Sequence, residues 1–517
     1  MISRRRFLAG STAASILAAC GQTEETEPAE FRQGTWGVPR DDQKSGMLDA
    51  SRQVDGVLEI FLLGGLNPWD TFYVVPEHGD PAKGGSYSGQ QWWTFQDPGD
   101  DESIPNIFQR CGGGNRSLLT PFGRDGAGRD VFTGPFTYPL RDRSDVMERL
   151  RVMVTRHGVS PHQAAAPLML GGQPRGSRRL AGTGAHMARF YGERGLVSRS
   201  TPYSYVLIPD SKAAADLESE AAGAVGLHQG SARPLTVRLV KDNPLAADLA
   251  RTTVGSRRAA VDRALDFYAA RYGENLRSRH TSELIASRAF ADYRFALGAM
   301  GQSHALADVF TPDVLAAFGG LACETEVDVD GTGMGLKMAA HLMTSPAHQA
   351  RYVQVVDPGM KEAFCGGYDT HARHVLYSSR NVVNLFKQLT AIINEPGEND
   401  PRKLDLDRHM VLITTEMGRT PYQQAYMDRG LDHWPHGFVV GAIGGPVVGD
   451  RAGVVGSIGE DGVAESFITP AELRAGVLMA AGIWPFSPEA FAVGDVRDAR
   501  TELEAAQILK QRVWGYG

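Results

Sequence analysis

The chain has 517 residues, with 53 Lys and Arg against 60 Asp and Glu, and a formal charge of −7, so its charge balance gives no reason to expect a nucleic-acid partner. Hydrophobic residues at 42% and charged residues at 22% exclude a disordered chain or a fibre. The 60 glycines and 28 prolines indicate many loops on a core of ordinary size, and four cysteines are too few for a disulfide scaffold in a chain this long.

The N-terminus reads as an address. Ser3-Arg4-Arg5-Arg6-Phe7-Leu8 resembles the twin-arginine export pattern, with Arg4 and Arg5 as its pair. The mildly apolar stretch from Phe7 to Ala19 is too short to span a membrane, which takes about 20 apolar residues. It ends in Leu17-Ala18-Ala19-Cys20, which resembles a bacterial lipobox, where the cysteine is lipidated and becomes the first mature residue. Gly21 follows in place of an Asp, so the usual inner-membrane retention signal is missing and the outer membrane is a possible destination. Removing residues 1–19 takes away three arginines and no acids, which moves the formal charge from −7 to −10. Residues 20–50, with Glu24, Glu25, Glu27 and Glu30 among small polar residues, read as a flexible tether to a body spanning 51–517. The expected location is the periplasmic face of the cell envelope, with the twin-arginine machinery as one partner and the membrane as another through the lipid.

Along the body, apolar runs predict strands at 57–63 and 150–155, a helix at 164–170, and strands at 203–209 and 235–240. Residues 244–345 lack clear strand signals and read as a helical insertion. Strand character returns at 351–356, followed by a long amphipathic helix fitting 371–394. Strands at 409–415 and 438–443 and helices near 470–481 and 500–511 complete the chain. Strands alternating with helices mean an α/β protein on a largely parallel sheet flanked by helices. In such sheets ligands bind beyond the carboxyl ends of the strands.

Polar residues cluster directly after five of these runs. They are Asn67 and Asp70; His157, Ser160 and His162; Asp369, His371 and His374; Glu416 and Arg419; and Asp432, His433 and His436. Converging on one rim, they supply the carboxylates and imidazoles of a dinuclear divalent metal site. Each cluster alone has an ordinary explanation. An Asp after a strand caps helices and turns, His371 and His374 suit a solvated helix face, and Asp432-His433 is a common turn dipeptide. Glu416 is the harder one to dismiss, because a carboxylate directly after a buried run needs a partner. An iron–sulfur or molybdenum centre does not fit, since Cys111, Cys323 and Cys365 have no ligand spacing.

The stretches GGYDTH, TTEMGRTP and LDHWPHGFVVGAIGGPVVGDRAGVVG, in this order, resemble the exported bacterial family known as domain of unknown function 1501. That family is regarded as a distant branch of the alkaline phosphatase and sulfatase superfamily. The resemblance covers roughly 55–75, 148–172 and 360–495. It implies an alkaline-phosphatase-like core and a metal-dependent hydrolase acting on phosphate or sulfate esters. The ligands it implies are Asp70 for one metal, Asp369 and His371 for the second, Glu416, and His433 or His436 as the late histidine. Ser160 stands in the nucleophile's place, with His162 as the competing match, and Arg419 is positioned to clamp the oxyanion. Met417 occupies a place where a ligand histidine is expected. Zinc, manganese, magnesium and calcium all remain open as the metal. The alternative is a non-catalytic binding or assembly protein of the envelope that keeps the fold with an eroded metal site.

Overall fold

The structure is a computed structural model that describes residues 35–79, 103–177, 179–194, 205–209, 235–236, 331–345, 350–359, 367–422 and 428–517, with a few helical positions between 263 and 271. The expected signal peptide, the first part of the tether and most of the helical insertion lie outside the described residues. The folded unit runs from Thr35 to Gly517, so residues 35–50, expected in the tether, belong to the body. Trp36, Met47 and Leu48 are buried there, and Gln43 donates to Glu502 at 2.6 Å. Apolar side chains override the polar look of that stretch.

Six strands of five to seven residues, with a short strand at each edge, form one sheet. In chain order they are β1 (Gly56–Leu62), β2 (Leu150–Thr155), β3 (Tyr205–Pro209), β4 (Leu235–Thr236), β5 (Tyr352–Asp357), β6 (His409–Thr415), β7 (Phe438–Gly444) and β8 (Gly453–Val455). The spatial order is β8-β2-β7-β6-β1-β5-β3-β4. All run the same way except β7, which is antiparallel to both β2 and β6. The expected α/β architecture with a mostly parallel sheet is therefore present.

Helices cover both faces, which is why the central strands are buried along their whole length. The period-two alternation of β1 divides its side chains between two cores. Leu58, Ile60 and Leu62 face the helices α3 (Gly331–Thr344) and α4 (His374–Ala391), while Val57 and Phe61 face α1 (His162–Gly171), α2 (Thr183–Glu193), α5 (Pro470–Ala480) and α6 (Glu502–Arg512). Local signals set the helix ends: Thr469 and Glu472 form a capping box with Pro470 in the first turn of α5, and Gly172 at φ 67° closes α1. This framework places the ends of β1, β2, β5 and β6, and the start of the reversed β7, along one rim.

Candidate metal centre

Four side chains from three separate segments meet at that rim. His162 begins α1 after β2, Asp369 and His371 stand in the loop between β5 and α4, and His433 precedes β7. Asp369 Oδ1 lies 3.5 Å from His162 Nε2, 3.0 Å from His371 Nε2 and 3.3 Å from His433 Nε2. The Nε2 atoms of His371 and His433 are 3.1 Å apart. The donor atoms of His162, Asp369 and His433, and those of His371, Asp432 and His433, each lie within 4.8 Å of one another. The donor chemistry fits as well, because three imidazoles and one carboxylate suit zinc and similar transition ions better than magnesium or calcium. His162 Nε2 is buried and has no hydrogen-bond partner among the described residues, as a nitrogen reserved for a metal would be.

The donors are held from behind. His162 Nδ1 donates to Glu416 Oε1 at 2.7 Å, which turns Nε2 towards the cluster. Glu416 in turn accepts the Gly64 N–H at 2.6 Å and the Thr415 hydroxyl at 3.2 Å. His157 donates from Nε2 to the Glu416 carbonyl at 2.6 Å and accepts the Val159 N–H on Nδ1, so its tautomer is set. Gly64 is required here: at φ 122°, a Cβ would stand 2.3 Å from the Asp369 nitrogen. The Arg419 guanidinium donates to Asp369, to the Gly64 carbonyl and, at 3.2 Å, to the Leu431 carbonyl. A short ladder pairing Arg419 with His433 ties that segment to the rim.

The electrostatics reflect this crowding. Burial opposes ionisation of Asp369, yet the three imidazoles and Arg419 hold its carboxyl far below the usual range. Burial likewise works against charge on His162, but Asp369 and Glu416 push its pKa up to about 10. His157 and His436 are both moved down by burial, with Arg156 adding to the effect at His436. The cluster remains open on one side, since the Asp369 side chain keeps 33% of its exposure.

Of the residues expected at the site, Asp369, His371, His433 and His162 are brought together, and Glu416 stands one layer back against His162. Asp70 is fully buried against His374 at 2.9 Å and lies outside the donor set. His436 packs on Trp434, with ring centres 5.0 Å apart, away from the cluster. Ser160 is exposed, and no described hydrogen bond joins its hydroxyl to a group that would activate it. Arg419 is fully buried with its guanidinium engaged inside the protein, so it orients Asp369 and does not face solvent. Met417 is buried in the apolar interior. Arg179, on the loop after α1, is paired with Asp495. Thr370 had no role assigned in the sequence, and His374, whose ordinary explanation was a solvated helix face, is buried. Asp432 sits beside the set, its Oδ1 3.9 Å from His371 Nδ1.

Comparison with curated proteins and with solved structures finds no match to this chain. A family model matches residues 141–486, which take in β2, the Asp369–His371 loop, Glu416 and His433, and by it the chain belongs to the family described as protein of unknown function (DUF1501).

Proposed function

We propose that this is an exported, lipid-anchored protein with an alkaline-phosphatase-like core that binds one divalent metal ion at the sheet rim and hydrolyses phosphate or sulfate esters there. The observation carrying the reading is the convergence of His162, Asp369, His371 and His433 donor atoms at 3.0–3.5 Å in a half-open cluster. A metal held there supplies Lewis-acid polarisation of an ester oxygen and a water of lowered pKa. The chain's own residues do the positioning. Glu416 aims His162, Arg419 aims Asp369, and Gly64 and Gly65 let both partners approach the backbone closely. Zinc is the preferred metal within this reading, because imidazole predominates among the donors.

Export rests on the twin-arginine and lipobox patterns, with Cys20 as the anchor. One observation supports it: Cys111 is disulfide-bonded, as suits an oxidising compartment. No helix among the described residues is long and apolar enough to cross a membrane. One observation favours the non-catalytic alternative: Ser160, the expected nucleophile, is exposed and makes no described hydrogen bond to an activating group.

The test begins with elemental analysis of protein purified without added metal. One equivalent of zinc is expected, lost in Asp369→Asn and His433→Ala. Absence of bound metal from the unsubstituted protein would sink the reading. A panel of p-nitrophenyl phosphate and sulfate esters then separates hydrolase from binder, because only the hydrolase gives metal-dependent turnover that the same two substitutions abolish.

A further inference from the structure

Behind the donor set lies a second group of polar side chains that no step above uses. Thr370 stands in the chain between Asp369 and His371. Its hydroxyl and His374 Nδ1 are 2.5 Å apart, and His374 Nε2 is 2.9 Å from Asp70 Oδ2 and 2.9 Å from the Asn67 side-chain amide. The carbonyl of Thr370 accepts the Leu431 N–H at 2.9 Å, two residues before His433. One residue therefore joins the two segments that carry Asp369, His371 and His433. Asp70, Thr370 and His374 are all buried, so water does not compete for these bonds.

Packing alone does not account for the arrangement. Asp70 Oδ1 is buried and has no hydrogen-bond partner among the described residues, which leaves part of a desolvation penalty uncompensated. A carboxylate placed at such a disadvantage makes sense if its other oxygen has an orienting task. A carboxylate behind a histidine fixes the ring and, through it, whatever the ring holds. Gly134 adds to the clamp, since a Cβ there would meet the Asp70 carbonyl at 2.0 Å.

We infer that Asp70, His374 and Thr370 form a positioning relay that sets the separation of the Asp369–His371 loop from His433, so that Asp70 serves the metal centre from behind and not as a ligand. The inference rests on the metal reading proposed above.

The test uses the full chain and zinc alone, with affinity read by competition against a chromophoric chelator. Thr370→Val keeps the shape and removes the hydroxyl, Thr370→Ser keeps the hydroxyl, and Asp70→Asn keeps the shape and removes the charge. Thr370→Val and Asp70→Asn are expected to weaken zinc binding by about 10–100-fold, with Thr370→Ser close to the unsubstituted protein. The visible spectrum of the cobalt-loaded protein should lose tetrahedral intensity in the same two variants. Metal-free melting temperatures are measured alongside, and Asp70→Asn carries the test if Thr370→Val does not fold. Unchanged zinc affinity and cobalt spectrum in the folded variants would overturn the relay, even with lowered metal-free melting temperatures, while leaving the metal reading intact. Failure of the unsubstituted protein to bind zinc would remove the metal reading and the relay with it.

Discussion

In the middle of β1, Glu59 is buried and meets four donors: two nitrogens of Arg474 at 2.6 and 2.9 Å, the Thr414 hydroxyl at 2.5 Å and the Tyr352 hydroxyl. Arg474 spends its remaining Nε–H on the Met169 carbonyl. At the rim, by contrast, the single oxygen Asp369 Oδ1 faces three imidazole nitrogens and Arg419, and two of those nitrogens confront each other at 3.1 Å. Donors and acceptors balance in the first place and do not in the second. The central pair is complete as it stands, whereas the rim holds more nitrogens than one oxygen accepts. Residue types alone would not tell the two places apart, and the count of lone pairs does.

Breaking the central pair gives the largest expected effect. Arg474→Met leaves Glu59 buried without its charge partner and should lower stability by about 3–5 kcal/mol in urea denaturation, while the folded fraction still binds one zinc. A loss under about 1 kcal/mol would show that the pair is not self-contained.

A third cluster sharpens the contrast through pH. Asp125 accepts from Tyr73 at 2.6 Å, from Arg129 Nε at 2.9 Å and from the backbone of Ala127 and Arg129, again in balance. Beside it, burial and Arg129 push the His78 pKa down from 6.5 to about 4. The folded state therefore binds fewer protons than the unfolded chain between these values. The contribution is fully present above pH 6.5 and is lost as pH falls towards 4, by about 3 kcal/mol in all. Urea denaturation at pH 7 and pH 4.5 should show a steeper loss in the unsubstituted protein than in His78→Gln, and equal losses would mean that His78 titrates normally.

The smallest effect on stability belongs to the rim. Gly64→Ala brings a methyl group onto the Asp369 nitrogen at a positive φ and should cost about 1–2 kcal/mol. Its zinc affinity should fall at least about 10-fold, because the ligand loop must move. Unaltered affinity would detach Gly64 from the centre.

Much of the fold was legible because buried strands are apolar runs of the right length. The expected strands at 150–155 and 409–415 match β2 and β6, and the expected helix at 470–481 is one residue longer than α5. The direction of β7 was not legible, since an apolar run carries no sense of direction. The edge strand Gly453–Val455 is only half-buried and three residues long, too short for a periodic signal. Within the site, Asp369, His371 and His433 followed from polar residues placed after strand ends. The pairing of His162 with Glu416 joins positions far apart in the chain and needed the sheet order. Asp70 shows the limit most clearly. Asp70 and Asp369 both stand shortly after a strand, and only the 2.9 Å contact of Asp70 with His374 sets it apart from the rim cluster.

The reversal of β7 has a consequence for how the rim is assembled in time. The chain leaves β6 at Glu416 and returns antiparallel at β7, so Glu416, Arg419 and His433 lie on one short stretch braced by its own two-residue ladder. Closing a short loop loses little chain entropy, and such local contacts are expected early in folding. That half of the rim is expected to form first, with the β1 turn, the β5 loop and α1 joining it from distant parts of the sequence.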